Sequence, residues 1–434
     1  MNFLSWIDQY QRKRTTAEKA VKCIKSGDRV FVHPGCCTPE HLIAAMVARK
    51  DQLENVEVCH ILTQGRAGYI EPGMEKHFRH RSFFTGSNVR QAVNEGRADQ
   101  MHIFLHEIED LFLNGQLPID VALIQVSPPD EHGFLSYGVG VDITMSAAQV
   151  AKIVIALVNP EMPRVHGDCF IHISKITYAV EYPAPLLEMP QGATDDVSRK
   201  IGRLIADRIE DGSTLQMGIG AIPDAFLSAL ADRRDMGIHT EMFSDGIISL
   251  VESGVINNSK KTLHPGKIVS AFTLGTKKIF DFCHENPIIE FHPCRYTNNP
   301  FIIAQNEKMV SVNSALGIDL TGQVFADSLG FAFYSGFGGQ VDFVRGAARS
   351  RGGRPFIAFP STAKDGAISR IVPFIPPGTG VTTSRADVHW VVTEFGAENL
   401  HGKSVGERAR TLIELAAPQF REELEKFAKE KKYI

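Results

Sequence analysis

The sequence predicts an α/β protein built from two similar open α/β domains, residues 1–190 and 191–434, and three observations carry that expectation. An order of helix, strand, loop, helix and strand near the amino end returns about 185 residues later. Short β-branched runs, Val121–Val126 and Ile153–Val158, have the composition of parallel strands buried on both faces. At 434 residues the chain exceeds what one ordinary core supports.

In the first copy, Ala17, Ala20, Val21 and Ile24 fall on one face of a helix that stops at Gly27. A strand over Arg29–His33 follows, then a loop from Pro34 to Pro39 that includes Cys36 and Cys37. The helix over Glu40–Arg49 has Thr38 available as N-cap and Pro39 at its first position, and a strand over Val56–His60 closes the unit. In the second copy, Ile201, Leu204, Ile205 and Ile209 form the helical face and Gly212 the stop. Strand 214–218, loop 219–223, a helix from Asp224 to Arg234 and strand 238–242 then repeat the order, with Pro223 where Pro39 fell. Asp224 matches Glu40 and Asp235 matches Asp51. This register places Glu241 near Cys59, so only the second copy puts a carboxylate at that strand end.

The loop 127–142 (SPPDEHGFLSYGVGVD) is too long for a connector and is expected to be functional or to pack across the sheet ends. Residues 181–191 hold three prolines in eleven positions and mark the linker, with the boundary near 190. Beyond it come alternating strand and turn signals over 324–334, a glycine-rich segment 335–343, strand 354–359, segment 360–366 and strand 389–396. A charged helix over 405–432, interrupted near Pro418, ends the chain.

Hydrophobic residues make up 43% and charged residues 22%, with a net charge of −4, which speaks against a nucleic-acid scaffold. The basic clusters at 11–14 and 77–81 read as solvated faces. Seven cysteines without CxxC spacing, two of them adjacent, point to a reducing compartment. The amino-terminal stretch MNFLSWIDQYQRKR is unlike a secretory signal, and no apolar run is long enough for a membrane span. A cytoplasmic protein is the expectation.

The stretch GIHTEMFSDG, 237–246, holds Glu241 between apolar strand positions and a turn. A carboxylate there is either a satisfied structural group or a reactive one, and the stretch alone leaves both open. His239, two positions away in a strand, would share its face; it is either a tuning group or a core histidine. The loop QMGIGAIPDA joins a strand to a helix, so its glycines and the helix amino terminus suit an anionic or acyl ligand, although a tight turn explains it as well. It lacks the third glycine of the dinucleotide fingerprint. GFGGQVDF places three glycines in four residues, Gly336, Gly338 and Gly339, which are costly to order and suggest a ligand loop. No metal site is expected, since His33, Cys36 and Cys37 crowd one turn, and no GxSxG nucleophile motif occurs.

Taken together, GIHTEMFSDG, GIGAIP, GFGGQVDFVRGA, SPPDEHGFLSYG, PSTAKDGAISRIVP and VTEFGAENLHGKSVGERARTLIELAAPQFR resemble the acetyl-CoA hydrolase/transferase branch of the class I coenzyme A transferases. The resemblance covers nearly the whole chain and is strongest to the 4-hydroxybutyrate and butyryl-CoA:acetate CoA-transferases. It implies two domains of the CoA-transferase type, the second carrying a catalytic Glu241. CoA would be a substrate and covalent intermediate rather than a permanent cofactor, contacted by Gln216, Met217, Gly218, Ile219, Gly220, Gly338, Gly339 and Lys364. The Pro34–Thr38 turn would cover the acyl group. The implied partners are an acyl-CoA and a small carboxylate, with no nucleic acid or membrane, in a homodimer or homotetramer. Thioester hydrolysis and ligand sensing without turnover remain alternatives, because fold does not settle function.

Overall fold

The computed structural model describes residues 5–434; the first four, part of the amino-terminal stretch considered above, lie outside them. The chain forms two compact units: one holds the chain up to Pro190 together with Val269–Thr297, the other Gln191–Ile268 and Asn298–Ile434. The expectation of a continuous second domain over 191–434 is therefore corrected. Hydrogen bonds explain the return of 269–297 to the first unit. Val141 N–H donates to Ala271 O at 3.0 Å, Thr273 N–H to Val139 O at 2.9 Å, and Phe291 N–H to His166 O at 2.8 Å. Arg295 N–H also reaches the buried Glu109 carboxylate at 2.7 Å. A composition-based boundary cannot see such an excursion, because no linker chemistry marks its ends.

The first unit contains a seven-stranded parallel sheet in the order Ala98–Gln100, Phe78–Ser82, Val56–His60, Arg29–Val32, Val121–Val126, Ile153–Val158 and Tyr178–Glu181. Every residue of Val121–Val126 is buried, as its unbroken apolar run requires. Val30, Val32, Val58, Leu123 and Leu157 pack under helix Glu40–Val47 through Leu42, Ile43 and Met46. That helix begins at Glu40 with Pro39 as its N-cap, so the expected cap at Thr38 is not made. The Thr38 hydroxyl instead donates to Gly35 O at 2.8 Å and closes the preceding turn.

The second unit has a six-stranded sheet, Gly237–Ile238, Thr214–Gln216, Met309–Asn313, Arg354–Ala358, Trp390–Thr393 and Gly396–Asn399, parallel except for the last pair. In each unit the first strand lies between the second and the third strand of its repeat, which is the duplication read from the sequence. The terminal helices Val405–Leu415 and Pro418–Glu430 cover this sheet through Leu412, Leu415, Leu424 and Ala428.

Three boundaries differ from expectation. The helix expected from Asp224 starts at Ala221, because Gly220, at φ 109°, turns the chain just before it and Pro223 is tolerated in a first turn. Strand 214–218 ends at Gln216. Strand 238–242 is reduced to Gly237–Ile238, with Met242–Phe243 a separate short strand. Thr240 accounts for the break: its hydroxyl contacts Met217 O at 3.1 Å and Met242 O at 2.8 Å, a side-chain to backbone competition with the ladder. Glu241 thus sits in a bend beyond the strand. The pairing of Phe31 with Cys59 and of Leu215 with Ile238 makes Leu62, not Cys59, its counterpart in the first unit.

Candidate active site

Glu241 lies just beyond the carboxyl end of strand Gly237–Ile238, an edge strand of the second sheet, on the side of the sheet where open α/β folds place their ligand sites. Two elements hold its carboxylate. Asn298 Nδ2 donates to Glu241 Oε2 at 2.8 Å, and the Gly339 N–H is a second donor. Gly339 is the N-cap of helix Gln340–Arg349, so the carboxylate meets the positive end of a helix dipole. Its lack of a side chain is required: a Cβ there would lie 2.1 Å from Glu241 Oε2 and 2.4 Å from Asn298 Nδ2. Gly338, at φ 53°, sets the chain direction into this N-cap.

Glu241 keeps some solvent exposure, but protein crowds its carboxyl group. Desolvation pushes its pKa up to about 7; the Asn298 amide opposes this, the negative Asp342 reinforces it, and the Gly339 N–H opposes it again. Asp342 lies in the first turn of the same helix and is buried. A carboxylate of this basicity is a better nucleophile than an exposed one and is still substantially ionised at neutral pH.

The loop after Thr214–Gln216 has the chemistry of an anion or oxyanion cradle. Among the described residues, the N–H groups of Gly218, Ile219 and Gly220 have no hydrogen-bond partner, and helix Ala221–Ser228 begins directly after them. Met217 is buried and tied by its N–H to the Thr240 hydroxyl at 3.4 Å, which couples the loop to the residue before Glu241. Gln216 is buried as the last residue of its strand, paired with Ser311, and its side chain is engaged inside the sheet, accepting from Val312 N–H at 3.1 Å. Lys364 is exposed at φ 49°, at the tip of a hairpin formed by Thr362–Ala363 and Ile368–Ser369. His239 is fully buried, its ring centroid 6.4 Å from that of Phe343.

Sequence reasoning missed Asn298 altogether, since nothing in TNNP distinguishes an amide that holds a distant carboxylate from turn chemistry. Asp342 stood inside the glycine motif without a stated role. Gln191, in the linker, was also missed: its Nε2 donates to Asp224 Oδ1 at 2.8 Å and to Ser244 Oγ at 2.7 Å, clipping the loop helix to the segment after Glu241. Burial, together with the negative Asp245, pushes the Asp224 pKa up to about 6.

Residues 5–188 match the acetyl-CoA hydrolase/transferase N-terminal domain and residues 275–428 the corresponding C-terminal domain. The chain is 50% identical over 421 residues to the 4-hydroxybutyrate coenzyme A transferase of Clostridium kluyveri, covering 97% of this chain and 98% of that one. It is 48% identical over 410 residues to the succinyl-CoA:acetate/propanoyl-CoA:succinate CoA transferase of Fasciola hepatica, covering 93% and 85%. The crystal structure of RipA from Yersinia pestis superposes with a TM-score of 0.94 at 38% identity, covering 99% of this chain and all of that one. No helix among the described residues is long and apolar enough to cross a membrane.

Proposed function

The chain belongs to the acetyl-CoA hydrolase/transferase family and is an enzyme that moves CoA between an acyl-CoA and a free carboxylate; we propose that it does so through Glu241 as a covalent nucleophile. The Glu241 carboxylate attacks the thioester carbonyl, the C–S bond breaks, and CoA thiolate leaves behind an acyl-glutamyl anhydride. The thiolate then attacks the glutamyl carbonyl and releases the acyl carboxylate, leaving CoA on Glu241 as a thioester. A second carboxylate runs the sequence in reverse and departs as the new acyl-CoA. Each step exchanges one activated acyl bond for another, so no external energy source is needed, and the kinetics are ping-pong.

The observation that carries this reading is the setting of Glu241: a crowded carboxylate with a pKa near 7, held by the Asn298 amide and the Gly339 N–H. Those donors orient the attacking oxygen, and the partnerless N–H groups of Gly218, Ile219 and Gly220 are candidates for the oxyanions that form. CoA is assigned to the loop from Gln216 through Met217, Gly218 and Ile219 to Gly220, to Gly338 and Gly339, and to Lys364 as a phosphate counter-charge. No permanent cofactor or metal is assigned. The substrate pair proposed is 4-hydroxybutyryl-CoA or butyryl-CoA with acetate, in a cytoplasmic homodimer or homotetramer. The Fasciola hepatica relative, whose name includes succinyl-CoA, makes succinate the first additional acid to try.

The test is product analysis with butyryl-CoA and 4-hydroxybutyryl-CoA, with and without acetate. Acetyl-CoA formed in step with acid release is the expected result. Free CoA released at the same rate whether or not acetate is present would instead assign thioester hydrolysis.

A further inference from the structure

Arg370 lies between two short strands, Ile368–Ser369 and Ile371–Val372, at the carboxyl edge of the second sheet. Its backbone is fixed at both ends: Arg370 N–H donates to Ser361 O at 2.8 Å and Ile318 N–H donates to Arg370 O at 2.9 Å. Ser361 follows strand Arg354–Ala358 and Ile318 follows strand Met309–Asn313, so the residue sits over the ends of those two neighbouring strands. A side chain at Gly317 would strike Arg370 O at 2.5 Å, which shows how closely the main chain is packed here.

The guanidinium is partly buried and makes one hydrogen bond, Nη1 to Ala315 O at 3.2 Å. Among the described residues no carboxylate pairs with it. Two acidic groups act on its charge, Tyr334 first and then Glu394; Tyr334 is a phenol rather than a carboxylate, and Glu394 has both oxygens engaged by Ser361, N–H at 2.8 Å and Oγ at 2.6 Å. Burial accordingly lowers the Arg370 pKa. A desolvated cation without a counter-ion is unfavourable, and capping one carbonyl does not require a permanent charge. An arginine kept in that state, with most of its planar fork of donors unused, matches an oxyanion brought by a ligand.

We infer that Arg370 binds a phosphate of coenzyme A. The inference rests on the CoA-transferase reading above. The sheet order separates Arg370 from Glu241 by two to three strand spacings, roughly 10–15 Å at the usual distance between strands. An acid of two to four carbons reacting at Glu241 does not span that gap, whereas the pantetheine arm does and carries phosphates at its far end. Loop 216–220, assigned to CoA, ends a strand lying between those of Glu241 and Arg370, and Lys364 extends from the hairpin whose second strand runs into Arg370.

The experiment compares butyryl-CoA with butyryl-pantetheine, which has the same thioester and no phosphate, in the unaltered enzyme, Arg370→Met and Arg370→Lys. Arg370→Met is expected to raise KM for butyryl-CoA roughly ten- to hundredfold, the scale of losing hydrogen bonds between charged groups. KM for butyryl-pantetheine, KM for acetate and kcat stay within about twofold of the unaltered enzyme, since none depends on a phosphate contact. Arg370→Lys, which retains a charge and a donor for Ala315 O, recovers part of the loss. An equal rise for both thioesters, no rise for either, or a rise confined to acetate or succinate overturns the inference. Both arms read thioester consumption, so they remain informative if the unaltered enzyme proves to be a hydrolase.

Discussion

The two loops that follow equivalent strands show what divergence after duplication has done. After Arg29–Val32, the first unit ties most of the polar groups of its turn to local partners. His33 Nε2 contacts Gly140 O at 2.6 Å, Gln125 N–H donates to His33 Nδ1 at 3.2 Å, and Gln125 Nε2 donates to Cys37 O at 3.1 Å. That histidine is a neutral structural pin, its pKa lowered by burial to about 4. After Thr214–Gln216, the second unit presents Gly218, Ile219 and Gly220 with partnerless N–H groups, and three residues beyond the adjoining strand it has Glu241 where the first unit has Leu62. One topology thus yields a turn tied largely by its own side chains in one copy and a run of three partnerless N–H groups beside a basic carboxylate in the other.

The largest break in this comparison comes from exchanging the two counterpart positions. Glu241→Gln keeps shape and removes the nucleophile, so transfer should fall by at least about 10³-fold, on the scale seen for other covalent nucleophiles. Leu62→Gln should leave the specific transfer rate within about threefold, because nothing at that position takes part in the proposed chemistry. A smaller effect follows from Gly339→Ala. The added Cβ meets Glu241 Oε2 and Asn298 Nδ2, so the carboxylate must move, and about a hundredfold drop in kcat is expected with unfolding little changed.

A pair of glycine substitutions compares the loops through stability. Gly220 has φ 109° and ψ −179°, a conformation essentially reserved for glycine, and Gly220→Ala should cost about 1–3 kcal/mol in denaturant unfolding. Gly35, at φ 60°, lies in the left-handed region, and Gly35→Ala should cost about 1–2 kcal/mol.

The smallest effects are in pH dependence. With Glu241 titrating near 7, activity should rise with pH through that value and level off above it. Asp342→Asn removes a negative neighbour and should move this limb to lower pH. Stability runs the other way. A carboxyl whose pKa is raised on folding contributes stability at low pH that is lost as pH rises through about 7. Glu241→Gln, a mimic of the protonated form, should therefore stabilise the protein against heat more at pH 8 than at pH 5, as thermal unfolding at the two values will show.

Much of this arrangement was legible in the sequence because it rests on local chemistry. Val121–Val126 and Ile153–Val158 are strands at the residues expected, since buried parallel strands announce themselves by composition. The second half of the terminal helix begins at Pro418, where the interruption was expected, because proline ends one helix and opens the next. What escaped depends on distant pairing. Thr240 diverts the backbone of its strand through contacts to Met217, more than twenty residues away in sequence. Asn298 lies 57 residues from the carboxylate it holds, and residues 269–297 leave one unit for the other through hydrogen bonds to segments 139–142 and 166–168. No local propensity records such partners.

The central claim is that CoA passes through a covalent bond to Glu241, and mass analysis tests it most directly. The enzyme would be mixed with butyryl-CoA in the absence of any acceptor acid, quenched and digested, and the peptide carrying Glu241 weighed with and without prior borohydride treatment. The account predicts a peptide heavier by CoA, converted by borohydride to the alcohol, and absent in Glu241→Gln. An unmodified Glu241 peptide from an enzyme that retains full transfer activity would contradict it.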